Sequence, residues 1–220
     1  SSSSRAAHLD GAIDAMWEYT GTGWINYLGN DEPVEGEQAQ YEAVREADLE
    51  QNDLVWLPPA PMNNTYSFAV TPSVQEEYGL SSLADITKVP VEERTFCVES
   101  EFRNRADGLP GMQTGAIYAA TDNGNCTFGE VFTPGGRIVA LDLTVLEDTK
   151  EFFPNYNVSF VVREETLEEH EEIADLVAPV TEQLTNEVLL ELNAEIDVEG
   201  REPADVALEW LESEGFVTTG

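Results

Sequence analysis

Basic side chains are scarce in this sequence. Its 220 residues include 10 Lys and Arg residues against 44 Asp and Glu, a formal net charge of -34, and the only lysines are Lys88 and Lys150. Binding to nucleic acid depends on basic patches that neutralise phosphates. The composition therefore argues against nucleic acid as a partner.

Long apolar runs and catalytic motifs are missing as well. No apolar run reaches the roughly 18 residues that a membrane-spanning helix needs. The sequence has no G-x-S-x-G elbow, Walker loop or H-E-x-x-H motif. It also lacks a signal peptide, but residues 1–9 resemble the end of a helix that begins upstream. We therefore expect an N-terminal portion outside this sequence, and the missing targeting signals carry no information.

Aromatic residues are plentiful, which excludes simple acidic disorder. The chain has four Trp, seven Tyr and nine Phe, and its hydrophobic fraction is 41%. Acidic charges are spread over all segments rather than collected in a tail, as on a solvated surface. Their mutual repulsion is screened within about 3 Å at 1 M salt. This pattern predicts a halophilic, haloarchaeal protein.

Strand-like and helix-like segments alternate along the chain. Apolar, β-rich runs occupy 12–17, 54–57, 66–70, 95–98, 126–132, 138–146 and 158–162. Helical patterns lie between several of them and fill most of the chain after residue 163. This alternation predicts an α/β fold with a largely parallel sheet.

One corner stands out near the start of the chain. An apolar strand ending near Trp17 runs into Glu18-Tyr19-Thr20-Gly21-Thr22-Gly23, and a helix is predicted from Trp24. Such corners lie at the carboxyl edge of a sheet, where ligands usually bind. Backbone N–H groups at a helix start can hold an anionic group, and Tyr19 adds an aromatic face beside them.

Further short motifs follow this corner in a fixed order. They are Glu18-Tyr19-Thr20-Gly21-Thr22, Asn63-Asn64-Thr65-Tyr66, Arg105-Ala106-Asp107-Gly108-Leu109, Gly136-Arg137-Ile138 with Leu146-Glu147-Asp148, Phe152-Phe153-Pro154-Asn155-Tyr156, and Val206-Ala207 with Trp210-Leu211. Together they resemble the substrate-binding proteins of ABC importers for compatible solutes such as glycine betaine, carnitine and choline. The resemblance covers nearly the whole chain.

The resemblance implies a type II periplasmic-binding-protein fold, with two α/β lobes and a ligand cleft between them. Lobe one comprises 1–65 plus 154–220 and lacks its N-terminal part, and lobe two comprises 66–153. The family usually has a further helix between Met112 and Gly115. Residues are therefore expected to be missing between Gln113 and Thr114.

Ligand contacts are likewise implied by the resemblance. In the family a quaternary ammonium sits in a box of aromatic rings, and the matching positions here are Tyr19, Tyr66, Phe132 and Tyr156. Phe132 stands where the family often has Tyr. The matching contacts to the ligand carboxylate are Arg105 and Thr22.

Cys97 and Cys126 lie on two predicted strands of the same lobe. In an exported protein they are expected to form a disulfide, the alternative being two buried thiols. Two cysteines without nearby histidines do not make a zinc site, and His170 is expected on a solvated helix face. No metal and no cofactor are expected.

These observations predict a binding protein rather than an enzyme. We expect an extracellular monomer on the outer face of the cell membrane, lipid-anchored or tethered through a segment outside this chain. It would deliver glycine betaine or a related quaternary ammonium osmolyte to an ABC permease. The alternatives are a secreted halophilic enzyme using cleft carboxylates, a choline-preferring binding protein and a sensory one.

Overall fold

The computed structural model describes residues 2–98, 121 and 123–218, which divide into two compact units. Unit 1 comprises Ser1–Asn64 and Pro154–Val188, and unit 2 comprises Thr65–Phe153 and Leu189–Gly220. The predicted lobes share the central segment with unit 2 to within one residue. They differ for Leu189–Gly220, which the sequence assigned to lobe one.

Strands and helices follow one another along the chain in a mixed α/β order. The strands are β1 (Ala15–Tyr19), β2 (Leu54–Trp56), β3 (Tyr66–Val70), β4 (Phe96–Cys97), β5 (Phe128–Phe132), β6 (Thr144–Val145) and β7 (Val158–Arg163). The α-helices are α1 (Ser2–Leu9), α2 (Thr20–Thr22), α3 (Glu37–Asn52), α4 (Pro72–Tyr78), α5 (Arg137–Ala140), α6 (Glu164–Glu169), α7 (Glu172–Gln183), α8 (Asn186–Asp197) and α9 (Pro203–Ser213). A π-helix covers Gly23–Tyr27, and 3₁₀ turns cover Leu83–Lys88 and Val91–Glu93. None of the helices described is both long and apolar enough to cross a bilayer.

A three-stranded sheet with the order β1-β7-β2 forms the centre of unit 1. Both outer strands pair antiparallel with β7, so that β1 and β2 run in the same direction without touching. The prediction of a largely parallel sheet is wrong here. The alternation of strands and helices is consistent with β1 and β2 running in the same direction. It cannot reveal that the strand between them comes from about 100 residues further along the chain.

One face of this sheet packs against α3. Tyr41 and Val44 project from one side of the helix at a spacing of three residues and form a core with Leu54, Trp56 and Val161. Further along the same helix face is Asp48, which is fully buried. Its carboxylate accepts hydrogen bonds from the Arg5 guanidinium and, at 2.7 Å, from Trp56 Nε1. This ion pair ties α1 to the core of unit 1.

Unit 2 contains a four-stranded sheet with the order β4-β5-β3-β6. The central strand β3 pairs antiparallel with β5 and β6, whereas β4 and β5 are parallel. All five residues of β3 are buried. Ser67 is the polar residue among them, and its hydroxyl donates a hydrogen bond to the Leu146 carbonyl oxygen. After β3, Thr71 caps α4 by accepting a hydrogen bond from Val74 N, and Gly79 ends that helix in a left-handed conformation.

A disulfide links the edge of this sheet to the segment that precedes β5. The Cys97 and Cys126 sulfurs are 2.15 Å apart and the two Cα atoms are 5.9 Å apart. Both cysteines belong to unit 2.

The predicted strand over 138–146 is wrong. Arg137–Ala140 form the short helix α5, and only Thr144–Val145 pair as a strand. Asp142 has a positive φ of 48°, which breaks any extended run at that point. Its neighbours Ile138 and Leu143 are apolar because they pack on Ala69 and Val131. The apolar pattern of residues 138–146 therefore reflects the burial of their side chains and does not indicate an extended backbone.

Candidate functional site

In unit 1, strand β1 turns directly into a helix. β1 ends at Tyr19 and α2 begins at Thr20, four residues before the predicted helix start at Trp24. The Thr20 amide donates to the carbonyl oxygen of Asn157 at 2.9 Å, which fastens the corner to the segment entering β7. The amides of Gly21 and Thr22 follow in the first helical turn, where no intrahelical acceptor exists.

Gly21 allows the ring of Tyr156 to pack directly against this first turn. A Cβ atom at Gly21 would lie 2.8 Å from both Cδ1 and Cε1 of Tyr156 and 2.7 Å from the carbonyl oxygen of Asn155. Ordinary contacts between carbon atoms are about 3.5–4.0 Å. The helix backbone therefore lies so close to the ring that only glycine fits at position 21.

Tyr19 is held at both its main chain and its hydroxyl. The Tyr19 N–H donates to Glu18 Oε1 at 2.8 Å, and the Tyr19 hydroxyl accepts a hydrogen bond from Asn64 Nδ2 at 3.0 Å. Glu18 is 8% exposed, and its Oε2 accepts a hydrogen bond from the Tyr27 hydroxyl at 2.6 Å. Burial of a carboxylate is compensated here by two hydrogen bonds to its charged form.

Two asparagine side chains hold the segment that carries Tyr156. The Tyr156 N–H donates to Asn63 Oδ1 at 2.8 Å, and Asn63 Nδ2 donates to Asn155 Oδ1 at 2.9 Å. The Asn64 N–H donates to the Tyr156 carbonyl oxygen at 3.1 Å. Tyr156 is thus bonded through its main chain to both members of the Asn63–Asn64 pair.

Unit 2 brings two other predicted aromatic residues together. Tyr66 and Phe132 are directly opposed in the pairing of β3 with β5, and their ring centroids are 4.8 Å apart. Tyr66 also contacts Phe153, with centroids 6.0 Å apart. Tyr66 is 7% exposed and Phe132 is 40% exposed. Most of the surface that this pair presents to solvent therefore belongs to Phe132.

The turn after Phe132 is fixed by a tightly packed glycine. A Cβ atom at Gly136 would overlap the main chain of Asn193 and Ala194 in α8. Asn193 Nδ2 also donates to the Pro134 carbonyl oxygen at 2.7 Å. The Thr133-Pro134-Gly135-Gly136 turn is therefore packed tightly against this helix.

The predicted site residues that the structure describes are divided between the two units. Tyr19, Thr22 and Tyr156 belong to unit 1, and Tyr66 and Phe132 belong to unit 2. Arg105 lies outside the described residues. Sequence reasoning missed the roles of Gly21, Asn63 and Asn64, although all three stand in the motifs that carry the resemblance.

Metal-binding groups are not evident in the part of the chain that the structure describes. There, no three His, Cys, Asp or Glu side chains are arranged to hold an ion. His170 is exposed, and its Nδ1 lies 3.4 Å from Glu172 Oε1.

Comparisons with known proteins agree with this architecture. The chain is 34% identical over 240 residues to a glycine-betaine-binding protein of Pseudomonas aeruginosa, covering 98% of this chain and 76% of the relative. It is 33% identical over 236 residues to the glycine betaine-binding protein YehZ of Escherichia coli, covering 96% of this chain and 77% of that protein. A crystal structure described as a glycine betaine/carnitine/choline ABC transporter superposes with a TM-score of 0.86 at 27% identity, covering 98% of this chain and 85% of the other. Residues 1–213 match the model of the substrate-binding domain of ABC-type glycine betaine transport systems, and the chain belongs to this family.

Proposed function

We propose that this protein captures glycine betaine or a related quaternary ammonium osmolyte and delivers it to an ABC permease. The ring faces of Tyr19 and Tyr156 in unit 1, and of Tyr66 and Phe132 in unit 2, contact the ammonium group. Thr22 and Arg105 contact the carboxylate. The protein binds its ligand without transforming it.

The chemistry of the ligand explains why rings are needed. A trimethylammonium group has no N–H to donate, so it is recognised by apolar contact and by cation–π attraction. Each desolvated ring contributes about 0.5–2 kcal/mol. A carboxylate paired with Arg adds about 1.5–3 kcal/mol before its desolvation is counted. Together these terms support micromolar affinity, a binding free energy of about -8 kcal/mol, once the entropic cost of ordering the binding residues has been offset.

The contact between Tyr156 and Gly21 is the observation that carries the proposal. It holds the Cδ1–Cε1 side of the ring against a helix start whose first amides have no helical partner, and Asn64 bonds the neighbouring Tyr19 at its hydroxyl. An aromatic face beside orphan N–H groups suits a ligand with a cation at one end and an anion at the other.

Calorimetric titration in multimolar KCl tests the proposal. We expect micromolar binding of glycine betaine, weaker binding of choline, which leaves Arg105 without a carboxylate, and no heat with proline. Tyr156→Ala should weaken betaine binding more than about tenfold. Tyr78→Ala is the matched control, since it removes a half-buried ring whose hydroxyl bonds Glu93 instead. No heat with any ligand would refute the function, and tighter choline binding would refute the carboxylate role of Arg105.

The setting of the protein forms part of the same proposal. It acts as a monomer on the outer face of the membrane, held by an anchor outside this chain. The net charge of -34 suits a halophile, in which salt screens the mutual repulsion of the carboxylates.

A further inference from the structure

Asn64 makes hydrogen bonds to both tyrosines of unit 1. Its backbone N–H donates to the Tyr156 carbonyl oxygen at 3.1 Å, and its side-chain Nδ2 donates to the Tyr19 hydroxyl at 3.0 Å. One residue therefore fixes the main chain that carries one ring and the far end of the other ring.

The position of Asn64 in the chain adds to its influence. Asn64 is the last residue of unit 1 before the chain enters unit 2, and Pro154 is the first residue after it returns. Asn63 and Asn157 form an isolated antiparallel bridge beside these points. The bonds made by Asn64 thus join the outgoing and the returning segments and hold them in one register.

A tyrosine ring needs such support because its orientation depends on two rotatable bonds. The hydroxyl is the atom farthest from the backbone, so a hydrogen bond there restrains both rotations more effectively than a contact near Cβ. A ring that is already oriented loses less conformational freedom when the ligand binds, and affinity rises accordingly.

We propose, on the basis of the function proposed above, that Asn64 is a positioning residue for the ligand site. The Asn64 side chain holds the Tyr19 ring in the binding orientation before the ligand arrives. The Asn64 backbone N–H fixes the position of the Tyr156 main chain relative to Tyr19. Asn64 acts through Tyr19 and needs no contact with the ligand.

A double-mutant cycle tests this role. Asn64→Ala and Tyr19→Phe remove the same hydrogen bond from opposite ends, and the second change keeps the ring. We expect each to weaken glycine betaine binding by about three- to tenfold, the equivalent of one hydrogen bond. The double variant should be no weaker than the weaker single variant. Tetramethylammonium, which has no carboxylate, should lose affinity by the same factor because the ring serves the cation.

Tyr41→Phe is the matched control. It removes another buried hydroxyl hydrogen bond of unit 1, to the Trp56 carbonyl oxygen at 3.1 Å, on the side of the sheet that faces α3. We expect a lower urea midpoint with unchanged affinity.

Three results would overturn the inference. They are unchanged affinity in both single variants, additive losses in the double variant, or a loss confined to betaine, which would make the Tyr19 hydroxyl a carboxylate contact. If Asn64→Ala does not fold, Tyr19→Phe decides alone, because it keeps the ring and loses only the bond. Wild-type protein that binds neither ligand would instead reject the proposed function and this inference with it.

Discussion

Adding a single methyl group at Gly21 should displace the Tyr156 ring. The new Cβ would meet Cδ1 and Cε1 of Tyr156 at 2.8 Å and the Asn155 carbonyl oxygen at 2.7 Å. Relief to ordinary van der Waals distance requires a shift of about 0.6–1 Å. The ring can shift as a side chain, whereas relief of the contact with the Asn155 oxygen requires main-chain movement next to Tyr156, so both routes displace the ring.

The expected magnitudes for Gly21→Ala separate stability from binding. Overpacking costs about 1–3 kcal/mol, and replacing glycine by alanine in a helix returns about 1 kcal/mol. The net loss of unfolding free energy is therefore about 0–2 kcal/mol. A displaced ring forfeits its cation–π contribution of about 0.5–2 kcal/mol, which weakens glycine betaine binding about two- to thirtyfold.

Calorimetry with glycine betaine and urea unfolding measure the two effects side by side. Gly23→Ala is the matched control two residues along the chain, where a Cβ would meet Trp56 at 2.6 Å and Val44 at 2.8 Å in the core. It should lower the urea midpoint and leave affinity unchanged. The reasoning fails if Gly21→Ala binds like the wild type, or if both variants lose affinity in proportion to their loss of stability.

Four further outcomes follow from the charges and the crosslink. Asp48→Ala should lose about 3–5 kcal/mol of unfolding free energy because it strands the buried Arg5 cation, and adding Arg5→Met should restore part of the loss in urea titrations. Burial lowers the pKa of His8, so the unfolded chain binds the proton more readily; stability should fall as pH drops through about 6.5, and His8→Phe should reduce that slope between pH 7.5 and 5.5. Replacing both Cys97 and Cys126 by serine should cost about 3–4 kcal/mol, and a thiol titration of the unfolded, unreduced wild type should find no free thiol. The melting temperature should rise with KCl, most steeply at low concentration, where the screening length falls from about 10 Å at 0.1 M to about 3 Å at 1 M.

The sequence predicts local features of this fold more successfully than long-range ones. The β3 segment matches its predicted bounds because a short, mostly apolar run with aromatic and β-branched residues favours a strand buried on both faces. The 138–146 segment has a similar composition, but its residues serve a short helix, a turn and a two-residue strand. An apolar run is expected both for a buried strand and for buried residues in other conformations, so composition alone cannot distinguish the two cases.

For the candidate site, too, the sequence predicts some features and misses others. The family pattern supplies positions for the rings of Tyr19 and Tyr156, which side-chain chemistry alone would leave as ordinary half-buried aromatics. Their support was not predicted, because the hydrogen bonds from Asn64 join segments that lie 45 residues apart, at Tyr19, and about 90 residues apart, at Tyr156. Gly21 stands in the corner motif of the sequence, but the motif does not reveal that the absence of a side chain there lets the Tyr156 ring pack against the helix.

The order of strands in unit 1 has a consequence for synthesis on the ribosome. β7 is the middle strand of that sheet and the last strand to be translated, so β1 and β2 emerge without the partner that joins them. The described strands of the unit 2 sheet all lie within residues 66–145 and are translated earlier. Since units fold as their chains become available, the second unit assembles its sheet first. Until Arg163 has left the exit tunnel, β1 and β2 lack the strand that joins them, and the many acidic residues of the chain favour solubility during that interval.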